Sequence, residues 1–235
     1  MSFPSEPVDL NELLRRHAGN ASLFQKAREQ MLFQSNIGVG AACFENIGNC
    51  IEILLESYPA VAGCVAWLTD IPILETLASL DVVSIVINKE DFLRPDGADS
   101  NWASELRRRY GKLAQPNPRL GRLPGMRALK ALPGAAGPAS IRCVGAASPS
   151  EDRFGPRMHH KFLVFLDYVK GTLVPKALLT GSFNITATSR RSLENILFID
   201  DERFAQIYYD EFFRVFLLSE PLDWISDSVS PSYSV

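Results

Sequence analysis

Apolar positions recur along this chain in two rhythms, and their alternation predicts a layered α/β domain. Between Asn46 and Tyr58, residues Ile47, Ile51, Leu54 and Leu55 fall at helical spacing, and Pro59 closes the run. Val61 to Leu68 is a continuous apolar run rich in valine and small residues, which predicts a buried strand. Thr69-Asp70 can cap a helix over Ile71 to Leu80, with Pro72 tolerated in its first turn, and Val82 to Ile87 is a second buried strand. Strand, helix and strand with short links predict a parallel, right-handed crossover.

The same reading continues to both ends. Val8 to Met31 is helical in pattern, through Leu10, Leu13 and Leu14 and then, past Gly19-Asn20, Ala21 to Met31; residues 1–32 are expected to form an accessory arm. A helix is expected over Asn101 to Leu113, and Pro116 to Pro138 has no period, as a functional or disordered loop would. Ile141 to Val144 predicts a short strand, and a second strand starts near His159. A turn at Lys170-Gly171 predicts a hairpin around Tyr168 to Lys176. Ala177 to Thr180, a helical turn at Ala187 to Arg191, a strand at Ile196 to Ile199 and an amphipathic helix at Glu202 to Leu217 follow. The Ser- and Pro-rich tail, 218–235, is expected to be peripheral. The fold class expected is α/β: a mixed, largely parallel sheet flanked by helices on both faces, filling 33–217.

Composition changes this picture little. Apolar residues at 46% and charged residues at 22% are ordinary for a soluble globular protein. No run is long enough to span a membrane, and Met1-Ser-Phe-Pro-Ser-Glu lacks the blocks of a signal peptide, so a cytoplasmic address is the expectation. Cys43, Cys50, Cys64 and Cys143 are widely spaced in apolar stretches and read as buried free thiols. No metal cage is visible and no cofactor is expected. Charge is uneven: Asn101 to Lys161 holds twelve Lys and Arg against Glu105, Glu151 and Asp152, a local +9 that leaves −12 elsewhere. Such asymmetry suits a polyanionic partner.

Chemistry concentrates in two short segments. His159 and Lys161 lie two apart, so on an extended strand their side chains leave one face, while His160 turns to the other with Phe162 and Val164. About twenty residues later Gly181-Ser182-Phe183-Asn184 offers a glycine that lets backbone approach an anion, and two neutral donors on one side. A phosphodiester needs a nucleophile, charge neutralisation and a proton for the departing alcohol. Without clustered carboxylates for two metals, covalent attack by the His159 imidazole is the route open. Lys161 and Asn184 would then bind the phosphoryl oxygens, Ser182 would add a donor, and Glu194 would orient the imidazole through its far nitrogen. Arg107, Arg108, Arg157 and Gly181 are expected to contact substrate. Trp67 and Trp102 read as packing residues.

His159-x-Lys161, Asp167 and Gly181-Ser-Phe-Asn184, with Glu194-Asn195 following, resemble the HKD motif of the phospholipase D superfamily. The resemblance extends over roughly residues 30 to 217 and implies that family's α-β-α sandwich. Two spacings are longer than the family's pattern: five residues, Phe162 to Leu166, before Asp167, and thirteen, Tyr168 to Thr180, before Gly181. The inserted hairpin accounts for them, and Asp167 is taken as structural. The resemblance implies a phosphohistidine intermediate and a second, protonated histidine. His17 sits in the arm and His160 faces away, so that second group is expected from another copy of the chain in a two-fold homodimer. Nucleic acid, DNA or RNA, is the substrate expected first, since single-motif dimers resemble the small endonucleases of the superfamily. A lipid phosphodiesterase or phosphatidyl transferase is the alternative, opposed by the lack of a basic amphipathic anchor, and no stable membrane association is expected. A nucleic-acid-binding module with little turnover is the third reading.

Overall fold

The computed structural model describes residues 9–11, 31–35, 38–93, 101–113, 120–132, 139–146, 157–224 and 227–234. Strands β1 (Met31–Ser35), β2 (Gly38–Cys43), β3 (Ala60–Val65), β4 (Val82–Asn88), β6 (Ile141–Val144), β7 (Lys161–Val169), β8 (Thr172–Gly181) and β9 (Ile196–Asp200) form one sheet, in the order β1-β2-β9-β8-β7-β3-β4-β6. Two short strands, β5 (Lys130–Ala131) and β10 (Tyr233–Ser234), pair separately. Helices α1 (Ile47–Glu56), α2 (Ile71–Leu77) and α3 (Asn101–Leu113) cover one face, and α4 (Glu202–Leu217) covers the other.

The sheet is mixed, as expected, but not largely parallel. Only β3/β4 and β4/β6 run parallel, while the other five pairings are antiparallel. Connection length is the reason. The β3–α2–β4 crossover has a helix to carry the chain back, whereas β7 and β8 are joined by a two-residue turn that permits only an antiparallel return. In that turn Lys170 and Gly171 have φ of 51° and 80°, the left-handed pair such hairpins require. The hairpin is longer than its sequence signal suggested, and it carries a bulge between Phe165 and Leu166. Asp167 pairs with Val174 and accepts from Tyr168 N at 2.7 Å. Six positions along the strand from Lys161, it lies about 20 Å away.

Strand periodicity builds the two cores. Phe162, Val164 and Leu166 face α4 with Ala62, Cys64, Leu178, Phe212 and Phe216. Leu163 and Phe165 face α1–α3 with Val61, Val65, Ile51, Leu74 and Leu106. All of β3 and β4 is buried, as strands covered on both sides must be. Asp70 caps α2 by accepting from Ile73 N at 3.2 Å, and Asp201 caps α4 by accepting from Arg203 N and Phe204 N at 2.9 and 3.2 Å. Each cap stabilises its helix by about 1 kcal/mol. The α2 helix ends at Leu77, before the expected Leu80.

The tail is packed rather than peripheral. Trp224 and Tyr233 are buried, and Glu220 pairs at 2.5 Å with Lys89, whose ammonium also donates to Ser228 O. Its aromatic side chains find partners that the Ser- and Pro-rich composition conceals: Tyr233 stacks on Phe216, and Arg142 sits 4.9 Å from the Tyr233 ring. Nearly all of the expected N-terminal helical arm lies outside the described residues, and Met31 already belongs to β1. Part of the 116–138 segment is ordered by Leu120, Leu123 and Met126, which pack on the α4 face. Cys43, Cys50, Cys64 and Cys143 are free thiols.

Candidate active site

Chain ends from five strands converge at one end of the sheet, where β3, β4 and β8 finish and β7 and β9 begin. The segment before β7 is pinned on both sides of His159. Met158 N donates to Asn88 Oδ1 at 3.0 Å, and Ala66 N donates to His160 O at 2.9 Å. His159 is exposed, with its ring edge-on to Trp67 at a centroid separation of 5.6 Å and an interplanar angle of 82°. Lys161 Nζ donates to His159 O at 2.9 Å and lies 6.0 Å from the centre of the Trp67 ring. Residue alternation sends His160 the other way, to Phe162 at 5.6 Å and to Glu211, 3.6 Å from its Nε2.

The Gly-Ser-Phe-Asn loop reaches the same place by another route. Phe183 and Ile185 are buried in the core, which leaves Ser182 and Asn184 on the opposite side. Backbone bonds staple the loop to the end of β3: Ile185 N donates to Trp67 O at 3.0 Å, while Thr69 N and Asp70 N donate to Ile185 O at 2.7 and 3.0 Å. Asn184 is thereby brought beside Trp67, and its Oδ1 is buried without a hydrogen-bond partner. That oxygen accepts, so it calls for a donor; the group that could meet a phosphoryl oxygen is the side chain's NH2. Gly181 has a structural reason to be glycine: a Cβ there would sit 2.1 Å from Asn195 O, so its absence lets β8 and β9 approach.

Below the loop is a saturated ion cluster. Arg190 Nε donates to Asp70 Oδ2 at 2.5 Å and Nη2 to Asp70 Oδ1 at 2.8 Å, and Nη2 also donates to Glu52 at 2.5 Å. These hydrogen bonds to carboxylates hold the guanidinium's pKa above its usual value. Gly48 makes room for it: a Cβ on that residue would lie 2.3 Å from the guanidinium carbon.

Electrostatics at His159 run in the opposite sense. Desolvation, then the like charges of Lys161 and Arg157 and the neighbouring His160, hold the imidazole pKa below its ordinary 6.5. Desolvation also lowers Lys161, against the attraction of Glu194. Glu194 does not orient His159 as expected; its carboxylate accepts the Ser182 hydroxyl, the nearer donor, and Ser182 Oγ in turn accepts Asn195 N at 3.1 Å.

Of the arginines expected to contact substrate, Arg157 lies beside the imidazole. Arg107 is on α3 one turn before Tyr110, whose hydroxyl donates to Leu68 O at 2.5 Å, and its Nη2 is buried without a partner. Arg108 is committed to Glu105, at 2.7 Å. The +9 stretch is no single patch. Arg142 is fully buried, Arg109 pairs with Glu75 and Glu105, and Arg122 donates to Tyr168 at the far end of β7. Beside His159 lies a groove of about 510 Å³, walled by Val144, Met158, Val215, Leu218 and Val229. Among the described residues, no three His, Cys, Asp or Glu side chains are grouped to hold a metal ion.

Two contributors, Asn88 and Glu90, were not singled out in the sequence, and a third, Trp67, was given another role. Trp67, read as packing, touches both the imidazole and the ammonium. One signal was there to read, because Trp67 and Asn88-Lys89-Glu90 end the two parallel buried strands, and the carboxyl ends of such strands are where ligand sites form.

Residues 83–216 match the family model described as the cardiolipin synthase, PLD-like domain. Uncharacterized protein L381 of Acanthamoeba polyphaga mimivirus is 32% identical over 203 residues, covering 79% of this chain and 68% of the relative. Similar solved structures include Nuc of Salmonella typhimurium, a phospholipase D family member (16% identity, TM-score 0.45, 74% of this chain and 91% of that one). NucT of Helicobacter pylori is another (11%, TM-score 0.48, 77% and 98%), as is phosphatidylserine synthase of Haemophilus influenzae (16%, TM-score 0.44, 80% and 41%). With His159, Lys161, Ser182 and Asn184 at one sheet end, Asp167 at the other, and more than half its length matching the family model, the chain belongs to the PLD-like domain family of the phospholipase D superfamily.

Proposed function

We propose that the protein is a phosphodiesterase acting on nucleic acid, with His159 as a covalent nucleophile at a site shared by two copies of the chain. In the first step a neutral His159 nitrogen bonds to phosphorus and the P–O bond to the departing alcohol breaks. That alcohol takes its proton from the protonated His159 of a second copy. Water then attacks phosphorus and the N–P bond breaks, and the water's proton returns to the second imidazole. Lys161 and the Asn184 amide bind the non-bridging oxygens, with Ser182 beside them.

The observation that carries this reading is an exposed imidazole whose pKa is held below its ordinary value, with the Lys161 ammonium flanking the same Trp67 ring. His160 turns towards α4, which leaves a second copy to supply the acid. Arg157 beside the nucleophile and the unpaired Nη2 of Arg107 favour a polyanion. The aliphatic groove next to His159 favours the second reading, a lipid phosphodiester.

One assay separates them. The full chain and His159→Ala are incubated, with EDTA, with labelled single- and double-stranded DNA, RNA and phospholipid vesicles. Nucleic-acid cleavage that survives chelation and vanishes in the variant is the expected result. Vesicle hydrolysis alone selects the lipid reading, and silence on every substrate leaves a binding module. A fully active monomer by light scattering overturns the shared site.

A further inference from the structure

We infer that Trp67, anchored by Glu90 and Asn88, is the positioning residue for the His159 ring and takes the orienting role that Glu194 leaves vacant. The inference rests on His159 being the nucleophile proposed above. Glu90 Oε1 accepts two hydrogen bonds, from Trp67 Nε1 at 2.9 Å and from Asn88 Nδ2 at 2.7 Å. Asn88 is buried, and its other amide atom, Oδ1, accepts from Met158 N at 3.0 Å. Backbone bonds close the same circuit: Asn88 N donates to Ala66 O at 3.1 Å, and Ala66 N donates to His160 O at 2.9 Å. A single carboxylate oxygen therefore ties the indole that meets the imidazole to the backbone from which that imidazole hangs.

This linkage matters because a histidine's second torsion is broad and sets the direction of the ring nitrogen. In many sites a carboxylate bonded to the far nitrogen fixes it. Here Glu194 Oε2 accepts the Ser182 hydroxyl, and the edge-on indole at 5.6 Å supplies a wall for the ring. The same indole lies 6.0 Å from the Lys161 ammonium, so one ring sets the spacing of nucleophile and charge. It also covers part of an otherwise exposed imidazole, and desolvation is the largest cause of the lowered His159 pKa. Lys161, Arg157 and His160 are the charged or titratable groups acting on the imidazole alongside it.

The test is hydrolysis of bis(p-nitrophenyl) phosphate by the full chain and its Trp67→Ala, Trp67→Phe, Glu90→Ala and His159→Ala variants. A mispositioned nucleophile costs on the order of 10²-fold, so Trp67→Ala should lower kcat by about 10- to 100-fold and leave KM within about twofold. The acid limb of its pH profile should move up, because water then reaches the imidazole. Trp67→Phe, which keeps a wall, should recover most of the loss. A merely structural tryptophan would change the folded fraction without moving that limb. Wild-type kcat with an unmoved limb in Trp67→Ala overturns the inference. Should that variant not fold, Glu90→Ala, which frees the indole, must show the same pattern more weakly; unchanged kcat there also overturns it. His159→Ala separates the two levels. If it is inactive while the Trp67 variants are unaffected, only the positioning role fails; if it turns over normally, the nucleophile reading fails as well.

Discussion

The Arg190 cluster and the His159 site treat charge in opposite ways. Arg190 is matched by Asp70 and Glu52, so every charge has a partner and the guanidinium is held protonated. At His159 the neighbours are Lys161 and Arg157, like charges that repel an imidazolium. A cluster of matched charges holds a scaffold together; a gathering of like charges attracts an anion. Here the first supports the second, since Asp70 N also donates to Ile185 O and the Asp70 side chain caps α2.

The sharpest way to break the contrast is at the imidazole. His159→Ala should lower phosphodiester cleavage by roughly 10⁴-fold or more and abolish the phosphoryl-enzyme seen by acid-quench labelling, while thermal unfolding stays near wild type. Lys161→Met should cost about 10²- to 10³-fold in kcat/KM. It should also move the acid limb. Activity rises with pH as His159 loses its proton, with a midpoint below 6.5 in the wild type; without the Lys161 charge that midpoint should rise, which an NMR titration of the ring would follow. Asn184→Ala should cost about 10²-fold, read as a drop in kcat with little change in KM.

Asp70→Ala tests the other half of the comparison. Asp70 is 1% exposed, so its loss strands Arg190 and removes the α2 cap; unfolding in urea should show about 3 kcal/mol of destabilisation. If activity fell while stability did not, the scaffold role would be wrong. The smallest effect is expected from Arg157→Ala, which should reduce the slope of log binding constant against log salt by about 1 on single-stranded nucleic acid.

How much of this could be read beforehand follows from the range of each interaction. His159, Lys161, Ser182 and Asn184 were legible because period-two alternation decides facing locally, and Lys170-Gly171 announced its turn by residue type. Trp67 and Glu90 were not, because their importance comes from chain segments roughly ninety and twenty residues away in sequence meeting at one strand end. The basic stretch misled for a related reason. Summing charge along a sequence cannot tell that Arg142 points into the core, that Arg108 is paired within its helix, and that Arg122 sits at the far end of β7.

By itself the sequence determined α1–α4 and strands β3, β4 and β6–β9 but not β1 and β2, together with the His-x-Lys and Gly-Ser-x-Asn pairs and the opposite facing of His160, since each follows from backbone geometry over a few residues. Only the tertiary structure decided that most strand pairs are antiparallel, that Gly181 serves β9, that Glu194 goes to Ser182, that the tail is packed, and that an indole flanks the nucleophile. Those outcomes depend on which distant surfaces exclude water together, and no local pattern encodes that choice.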